Sequence, residues 1–423
     1  MRRDSNFKQI LAAMSGTVLQ YYDFSLFGYF TPVIAELYFP AQNQTLSILY
    51  AFSLFAVSFL LAPLGSIFFG YIGDNFGRKK ALTLSILLMA IPTAMIGILP
   101  TYTQIGMAAS LLLILCRLIQ GFVASGEFTG SAVYLVEQAK SRNPYLLGSL
   151  ISSSYSIGML IGSVLATIVT LKIMPTWAWR LPFLLALIAV LLIFYMRKNL
   201  SETQEFLASN KKNKKWFWTA LINSPRAVMA TILMGWFVGI VVFGTYVFSV
   251  TYLTEYAHLQ LSTAIIIVSL ALLLDACLEP FIAMLADKYG GLWITGTGIA
   301  GFAVFSYPLF QMLATGNVVL IIMAMISLTC LIAITCAPLN GLLVRLFPAE
   351  YRSSGFGVSF NLSIGIFGGT APLILTGLIL WTGNLVSPAL YYIGGSFIGL
   401  YAISLMKSNK QIHVMDMASS HEY

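Results

Sequence analysis

Long apolar runs separated by short polar turns recur along the whole chain of 423 residues. A helix that spans a membrane needs about 20 predominantly apolar residues, and twelve runs meet this requirement. Backbone polar groups in lipid must be paired within their own segment, so these runs must be helices. The predicted helices, numbered 1 to 12 in chain order, cover residues 12–38, 47–73, 81–100, 105–138, 145–171, 181–197, 224–254, 262–286, 292–314, 317–346, 353–383 and 386–406. The pattern predicts an all-α integral membrane protein with twelve transmembrane helices.

Composition supports a chain whose surface faces lipid. Hydrophobic residues make up 58% of the sequence and charged residues only 9%, whereas soluble domains carry roughly 25% charged residues. The four cysteines all lie inside apolar runs, so neither a disulfide framework nor a metal cluster is indicated. No cofactor is expected, and Gly-rich phosphate loops, paired-histidine metal sites and nucleophile elbows are absent from the sequence, which argues against an ATP-driven pump and against an enzyme.

The placement of lysine and arginine explains the net charge of +8 without a nucleic-acid partner. With twelve helices, both termini lie on one side of the membrane. Of the 23 basic residues, all but Lys172, Arg180 and the intramembrane Arg117 fall on that side. Cytoplasmic loops carry the excess of positive charge, so both termini are expected to be cytoplasmic in a multi-pass protein of the cell (inner) membrane.

The longest polar stretch divides the chain into two weakly similar halves. Ser156-Ile-Gly in helix 5 recurs as Ser363-Ile-Gly in helix 11, and Asp74 after helix 2 recurs as Asp287 after helix 8. Parallel six-helix repeats place the substrate site between them near the membrane midplane. The predicted organisation is an N-terminal bundle (1–197), a cytoplasmic linker (198–223), a C-terminal bundle (224–406) and a cytoplasmic tail (407–423).

A glycine-rich charged motif, GYIGDNFGRKK at residues 70–80, follows helix 2. Its glycines allow close approach to neighbouring helices. Asp74 can receive the N-terminus of a facing helix or an arginine there, with Arg352 the expected partner, and Arg78 can reach Glu137. These groups are expected to latch one conformation. The predicted latch residues are Gly70, Asp74, Gly77, Arg78, Lys79, Glu137 and Arg352.

This motif resembles the helix 2–3 signature of the major facilitator superfamily. Residues 16–24 (GTVLQYYDF), 117–137 with Arg117 and Glu127, 177–183 (WAWRLPF) and 367–372 (FGGTAP) resemble its metabolite:proton symporters, a subfamily that includes proline/betaine, citrate, α-ketoglutarate and shikimate carriers. The resemblance runs from about residue 10 to 385. It implies the twelve-helix fold of the superfamily. Gln20 departs from the pattern, since the family usually has glutamate there.

Charged side chains inside the membrane are costly and mark function by default. At about 1.5 Å rise per residue, Asp23 and Arg117 fall at similar depth in the outer half of the membrane. No histidine lies within a predicted helix, so a proton carrier must be a carboxylate. Asp23 would stay ionised beside Arg117 and would favour the protonated form once the arginine moves away; a permanent ion pair is the alternative. The residues predicted to couple protons are Asp23, Arg117 and Glu127.

The predicted substrate cavity combines polar groups of helices 1, 4, 7, 8 and 11. Asp275 and Glu279, four residues apart, share one face of helix 8. Most aromatic residues in such helices serve packing or interface anchoring. The residues predicted to line the cavity are Gln20, Tyr21, Gln120, Tyr246, Asp275, Glu279 and Asn361.

The predicted function is secondary active transport, as proton-coupled symport of a small polar organic solute, an osmolyte or a carboxylate, by alternating access. The expected partners are that small molecule, protons and the lipid bilayer, and the expected functional unit is a monomer. Export by antiport is the alternative, although the Gly-Pro pair usual in helix 5 of drug antiporters is replaced by Gly162-Ser163. A receptor without transport activity is a further alternative.

Overall fold

The computed structural model describes residues 2–40, 54, 57–139, 143–169, 171, 173–209 and 217–407. The predicted start of helix 2 at residue 47, the middle of the predicted linker and the tail beyond residue 407 lie outside this part. Within it, the chain is helical almost throughout, as the apolar runs predict.

Twelve long helical segments follow one another in the described part. The first six are α1 (Arg2–Tyr29, continued by Thr31–Tyr38), α2 (Ala62–Phe76), α3 (Arg78–Ile98), α4 (Met107–Gln138), α5 (Pro144–Val169) and α6 (Leu181–Lys198). The other six are α7 (Pro225–Phe243, continued to Tyr256), α8 (Leu261–Tyr289), α9 (Gly291–Ala314), α10 (Val318–Cys336, continued by Leu339–Arg345), α11 (Arg352–Ser363, continued to Thr382) and α12 (Pro388–Lys407). Short helices at Gln204–Ala208 and Phe217–Asn223 flank the undescribed part of the linker.

Ten of the described helices, α3 to α12, are long and apolar enough to cross a membrane. Most boundaries lie within a few residues of the predicted ones. The predicted start of helix 1 is wrong: α1 begins at Arg2 rather than at residue 12, because the polar first turns continue the helix beyond the apolar run that marks the span.

Several helices are interrupted near the middle of the bundle. Residues Gly244–Phe248 of α7 and Ile364–Gly368 of α11 form π-helical turns, and α10 breaks at Ala337–Pro338, where proline cannot donate the helical hydrogen bond. Such interruptions are tolerated in lipid only where protein or a cavity surrounds the freed backbone. They therefore mark the interior of the bundle.

The helices pack mainly within their own half of the chain. In the first half α1 packs against α5 and α6, and α3 against α4 and α6; in the second half α7 packs against α12, and α9 against α10 and α12. The halves meet mainly where α5 packs against α8 and α2 against α11, with further contacts of α10 to α4 and α5 and of α11 to α4. This is the arrangement expected for two six-helix repeats, while the exact domain boundaries stay a prediction.

Candidate functional site

The first contact between the halves is made by Asp74, at the end of α2. Its carboxylate accepts hydrogen bonds from the backbone N–H of Ser353 (2.9 Å) and Ser354 (2.8 Å) and from the Ser354 hydroxyl (2.6 Å). These donors form the first turn of α11, where the helix dipole favours negative charge. A Cβ added at Gly70 would lie 2.7 Å from the Cα of Ser354. Glycine at this position therefore permits the close approach that the capping bonds require.

Arg78 lies at the centre of a buried charge network beside this cap. Its guanidinium donates to Asp74 (2.9 Å) and to Glu137 (3.0 Å), and it reaches the carbonyl of Ala349 in the other half at 2.6 Å. Gly77, before Arg78, has φ of +116°, a conformation that side chains disfavour. Arg78 therefore contacts Glu137, as the sequence predicts.

The predicted pairing of Arg352 with Asp74 is wrong. Arg352 donates to Glu137 at 3.0 Å and also to Glu205, which lies in the short helix after α6. Asp74 is already occupied by the backbone of α11 and by Arg78. Both arginines therefore converge on Glu137, which joins the two halves.

Residues after α6 complete the network. Glu202 accepts from the backbone N–H of Arg78 (3.1 Å) and Lys79 (3.3 Å), and the Thr203 hydroxyl donates to Glu137 at 2.5 Å. The Lys79 ammonium donates to the carbonyl of Lys198, so it holds the end of α6 and does not cross to the other half.

A second cap repeats the first across the pseudo-symmetry of the chain. Asp287, near the end of α8, accepts from the backbone N–H of Tyr145 (3.0 Å) and Leu146 (2.9 Å) at the start of α5. Each half thus supplies one aspartate to the N-terminus of a helix of the other half. Both caps lie on the side of the bundle where α1 begins and α12 ends, and together they close that side.

Asp23 and Arg117 meet deep in the first half. Together with Gln120 they form a cluster of three polar side chains, and all three are fully buried. Arg117 lies 3.4 Å from Asp23 and donates to Gln120 at 2.7 Å, while the Gln120 amide donates to Asp23 (3.0 Å) and Thr93 (2.9 Å). Two of the three guanidinium nitrogens have no partner among the described residues. The pair is therefore weakly bonded for a buried ion pair.

Glu127 has a different environment. Arg197, at the end of α6, binds both carboxylate oxygens, one of them at 2.9 Å. Ser85 (2.7 Å) and Ser131 (3.2 Å) donate to the same carboxylate, and Arg197 also donates to the carbonyls of Ala12 and Ala13 within α1. The sequence predicts a proton-coupling role for Glu127 but does not identify Arg197 as its partner. Together, Glu127 and Arg197 link α1, α3, α4 and α6, and the proton-coupling role of Glu127 stays a prediction.

Asp275 and Glu279 lie on the face of α8 that packs against α5. Both are fully buried. Asp275 accepts from the hydroxyls of Tyr155 (2.8 Å) and Ser156 (2.6 Å), but its other oxygen and both oxygens of Glu279 have no hydrogen-bond partner among the described residues. No described lysine, arginine or histidine forms an ion pair with either carboxylate.

Among the described residues, Tyr21 lines two cavities between the halves. The larger, of about 120 Å³, runs between α1 and α7 toward the side away from the termini and includes Tyr246. The smaller, of about 50 Å³, lies deeper and is lined by side chains of both halves, including Tyr155 and Phe360. Aromatic side chains make up five of the twelve residues that line each cavity.

The other residues predicted for the cavity do not line these two spaces. Gln20 is buried, and its carbonyl oxygen has no partner among the described residues. Gln120 belongs to the Asp23 cluster. The Asn361 amide donates to the carbonyls of Ser125 (3.0 Å) and Gly357 (2.9 Å) and so links α11 to α4. Asp275 and Glu279 lie behind Tyr155 and Tyr246.

Sequence reasoning missed Arg197 and Glu205 as partners. Arg197 ends a long apolar run, so it was counted as an ordinary charge at the membrane boundary. Glu202 follows Arg197 by five residues, and nothing in the sequence marks the distant Glu127 as the partner of Arg197. Glu205 stands three residues after Glu202 in a short helix, and nothing in its local pattern points to α11.

Known proteins resemble this chain over almost its full length. Residues 13–372 match the Major Facilitator Superfamily. The putative proline/betaine transporter of Staphylococcus aureus (strain COL) is 32% identical, covering 94% of this chain and 88% of that protein. The proline/betaine transporter of Escherichia coli (strain K12) is 27% identical, covering 95% and 83%. The solved structure of the proton:xylose symporter XylE has the same fold, with a TM-score of 0.78, 15% identity, and coverage of 98% of this chain and 100% of that one. The chain therefore belongs to the Major Facilitator Superfamily and is a multi-pass membrane transporter.

Proposed function

We propose that this transporter is a proton-coupled symporter of a small polar osmolyte that works by alternating access. It acts as a monomer in the cell (inner) membrane, with both termini in the cytoplasm and the linker 198–223 joining its two bundles. The basic residues on the terminal side support this orientation through the positive-inside rule. The two aspartate caps close the same side, so the conformation described is shut toward the cytoplasm.

The buried Asp23–Arg117 cluster carries the proposal. Among the buried charged groups described in the first bundle, Asp23 is the carboxylate and Arg117 the guanidinium with the fewest hydrogen bonds. In the closed arrangement Arg117 neutralises Asp23 at 3.4 Å. A small rotation of α1 against α4 would separate them, and a carboxylate left buried without its cation binds a proton. Proton binding and release at Asp23 would then follow the movement of the helices.

The walls of the cavities support the choice of substrate class. Tyr21, Phe24, Phe243 and Tyr246 surround the larger space, and aromatic faces attract quaternary ammonium and similar cationic groups. The relatives named proline/betaine transporters point in the same direction. We therefore propose a zwitterionic osmolyte rather than an anionic carboxylate as the transported solute.

Uptake into proteoliposomes tests substrate and coupling together. Purified protein should accumulate proline or betaine, and not citrate, when a pH gradient is imposed, and it should only equilibrate them without one. Accumulation that ignores the pH gradient would refute proton coupling. Accumulation of citrate alone would refute the substrate class.

Substitution of Asp23 tests the proposed carrier of the proton. Asp23→Asn should abolish accumulation driven by a pH gradient, because an amide has no proton to release at this site, while substrate exchange persists because the amide keeps much of the hydrogen-bonding shape. Protein yield is measured on the same variant. If Asp23 serves only as an ion-pair partner, Arg117 is left buried and unpaired, which costs about 3–5 kcal/mol and lowers the yield of folded protein. Normal yield with intact pH-driven accumulation would exclude Asp23 from both roles.

A further inference from the structure

The proposed symport mechanism does not use the two carboxylates of α8, and their surroundings are unusual. A buried charge is normally paired with an opposite charge or a metal ion. Asp275 and Glu279 lie four residues apart on one helix face, both fully buried, and no described basic side chain pairs with them. Two carboxylates so close in low dielectric repel each other strongly. The pair requires a positive charge from outside the chain.

Neutral oxygen atoms surround the pair and are also without partners. Ser153 of α5 lies beside Glu279, and Tyr246 of α7 lies beside Asp275. Thr329 of α10 lies beside Tyr246. All three hydroxyl oxygens are buried and have no hydrogen-bond partner among the described residues. The cluster therefore draws oxygens from four helices and from both halves of the protein.

The backbone adds further oxygen atoms at the same level. Pro280 lies inside α8 directly after Glu279. It has no N–H, so the carbonyl of Ala276, between the two acids, loses its usual helical donor. On the facing side, Tyr246 lies within the π-helical turn Gly244–Phe248 of α7. Interrupted membrane helices with freed carbonyls are the usual setting of cation sites in transporters.

We propose that Asp275, Glu279, Ser153 and Tyr246 form a site for a sodium ion between α8, α5 and α7. Hard cations take oxygen ligands, and carboxylate and hydroxyl oxygens are the groups that are free here. Asp275 is stabilised as a carboxylate by the hydroxyls of Tyr155 and Ser156, whereas Glu279 has only the Ser153 hydroxyl beside it and takes its neutralising charge from the ion. The described residues contain no group of three or more His, Cys, Asp or Glu side chains that could hold a metal, which disfavours a transition metal.

A proton or a cationic part of the substrate explains these features less well. A single proton would join two carboxylate oxygens, but it would not coordinate the hydroxyl oxygens of Ser153 and Tyr246 as a metal cation can. The substrate's positive group would need the carboxylates to line a cavity, but Tyr155 and Tyr246 separate them from the two cavities between the halves. The sodium ion would bridge the halves across α5 and α8 and stabilise the arrangement closed on the terminal side.

Thermal unfolding of the full-length protein in detergent, without substrate, tests the site independently of transport. A ligand that binds only the folded state raises the melting temperature in a saturable way. NaCl should raise the melting temperature well above that in choline chloride or KCl of equal ionic strength. Glu279→Gln should weaken the apparent sodium affinity by about tenfold or more. Glu255→Gln is the matched control, because it removes an exposed carboxylate of α7, and its sodium response should equal that of the wild type.

Two further measurements keep the test decisive. If Glu279→Gln does not fold, Tyr246→Phe removes a single proposed ligand oxygen and should still weaken the sodium response several-fold. Equal melting temperatures in the three salts would overturn the proposal, as would a wild-type sodium response in Glu279→Gln or, where that variant does not fold, in Tyr246→Phe. A melting temperature that follows pH but not sodium would assign the pair to a proton and also overturn it. None of these outcomes depends on Asp23, so they leave the proton-symport proposal to its own experiment.

Discussion

At the scale of single residues, two buried carboxylate–arginine pairs of the first half differ in how completely they are bonded. Glu127 receives donors from Arg197, Ser85 and Ser131, whereas Asp23 shares a 3.4 Å contact with Arg117 and relies on Gln120. Separating an ion pair whose polar atoms are all hydrogen-bonded costs the free energy of every one of those bonds. Separating Asp23 from Arg117 costs less, because two nitrogens of Arg117 have no hydrogen bond to lose. The more complete bonding of Glu127 supports a structural role for it, and the sparser bonding of Asp23 supports the switching role proposed above.

Glu127→Gln should destabilise the protein rather than alter its coupling. The substitution leaves the buried Arg197 without its counter-charge, at a cost of about 3–5 kcal/mol. Scanning fluorimetry should show a clearly lower melting temperature and a reduced yield. The double variant Glu127→Gln with Arg197→Gln, which removes both charges, should recover part of the loss. A Glu127→Gln protein with wild-type melting and no pH-driven accumulation would instead return this residue to proton coupling.

At the scale of helices, each half closes the terminal side by capping a helix of the other half. Asp74 caps α11 and Asp287 caps α5. A helix N-terminus presents unpaired N–H groups, and a carboxylate satisfies two of them at once. Because the donors are backbone groups, the interaction depends on where the helix begins and not on which side chain stands there. This explains why Arg352 is free to bind Glu137 and Glu205.

Asp74→Asn should impair transport while insertion and yield stay normal. Asparagine retains one acceptor oxygen but loses the charge that the α11 terminus and Arg78 both bind, so the closed arrangement is weakened by about 1–3 kcal/mol. The initial uptake rate should fall about tenfold or more, in line with that energy. Asp287→Asn is the matched variant at the second cap and should act in the same direction. Wild-type rates in both variants would show that the caps do not control the cycle.

At the scale of the whole molecule, the proposed function requires a fixed orientation in the membrane. The network around Arg78, the two caps, the start of α1 and the end of α12 lie on one side, and the segment around Thr103, between α3 and α4, lies on the other. Positive charge is concentrated on the first of these sides, which predicts that it is cytoplasmic. The cavity between α1 and α7 would then lead toward the outside.

Cysteine labelling tests this orientation. In a background lacking Cys116, Cys277, Cys330 and Cys336, an impermeant maleimide applied to intact cells should label Thr103→Cys but not Asn199→Cys, since both positions are exposed on opposite sides. Permeabilised cells serve as the control in which both label. Labelling of Asn199→Cys alone in intact cells would invert the topology, and labelling of both would contradict the helix count between them.

The sequence by itself determined the features that depend on local pattern. Apolar runs of spanning length fixed the helices, and the distribution of lysine and arginine predicted their orientation, because both follow from the chain's interaction with lipid and need no knowledge of packing. The recurrence of Asp74 as Asp287 likewise indicated two similar halves, although the contact of Asp287 with α5 became visible only in the structure.

Only the tertiary structure decided which charges meet. Depth along a helix can be counted from the sequence, but the direction in which a side chain points and the neighbour it faces depend on helix tilt and rotation, which packing sets. Arg197 therefore appeared as a boundary charge until the fold placed it against Glu127. For the same reason, only the fold shows that Asp275 and Glu279 are buried together and that no described basic side chain pairs with them.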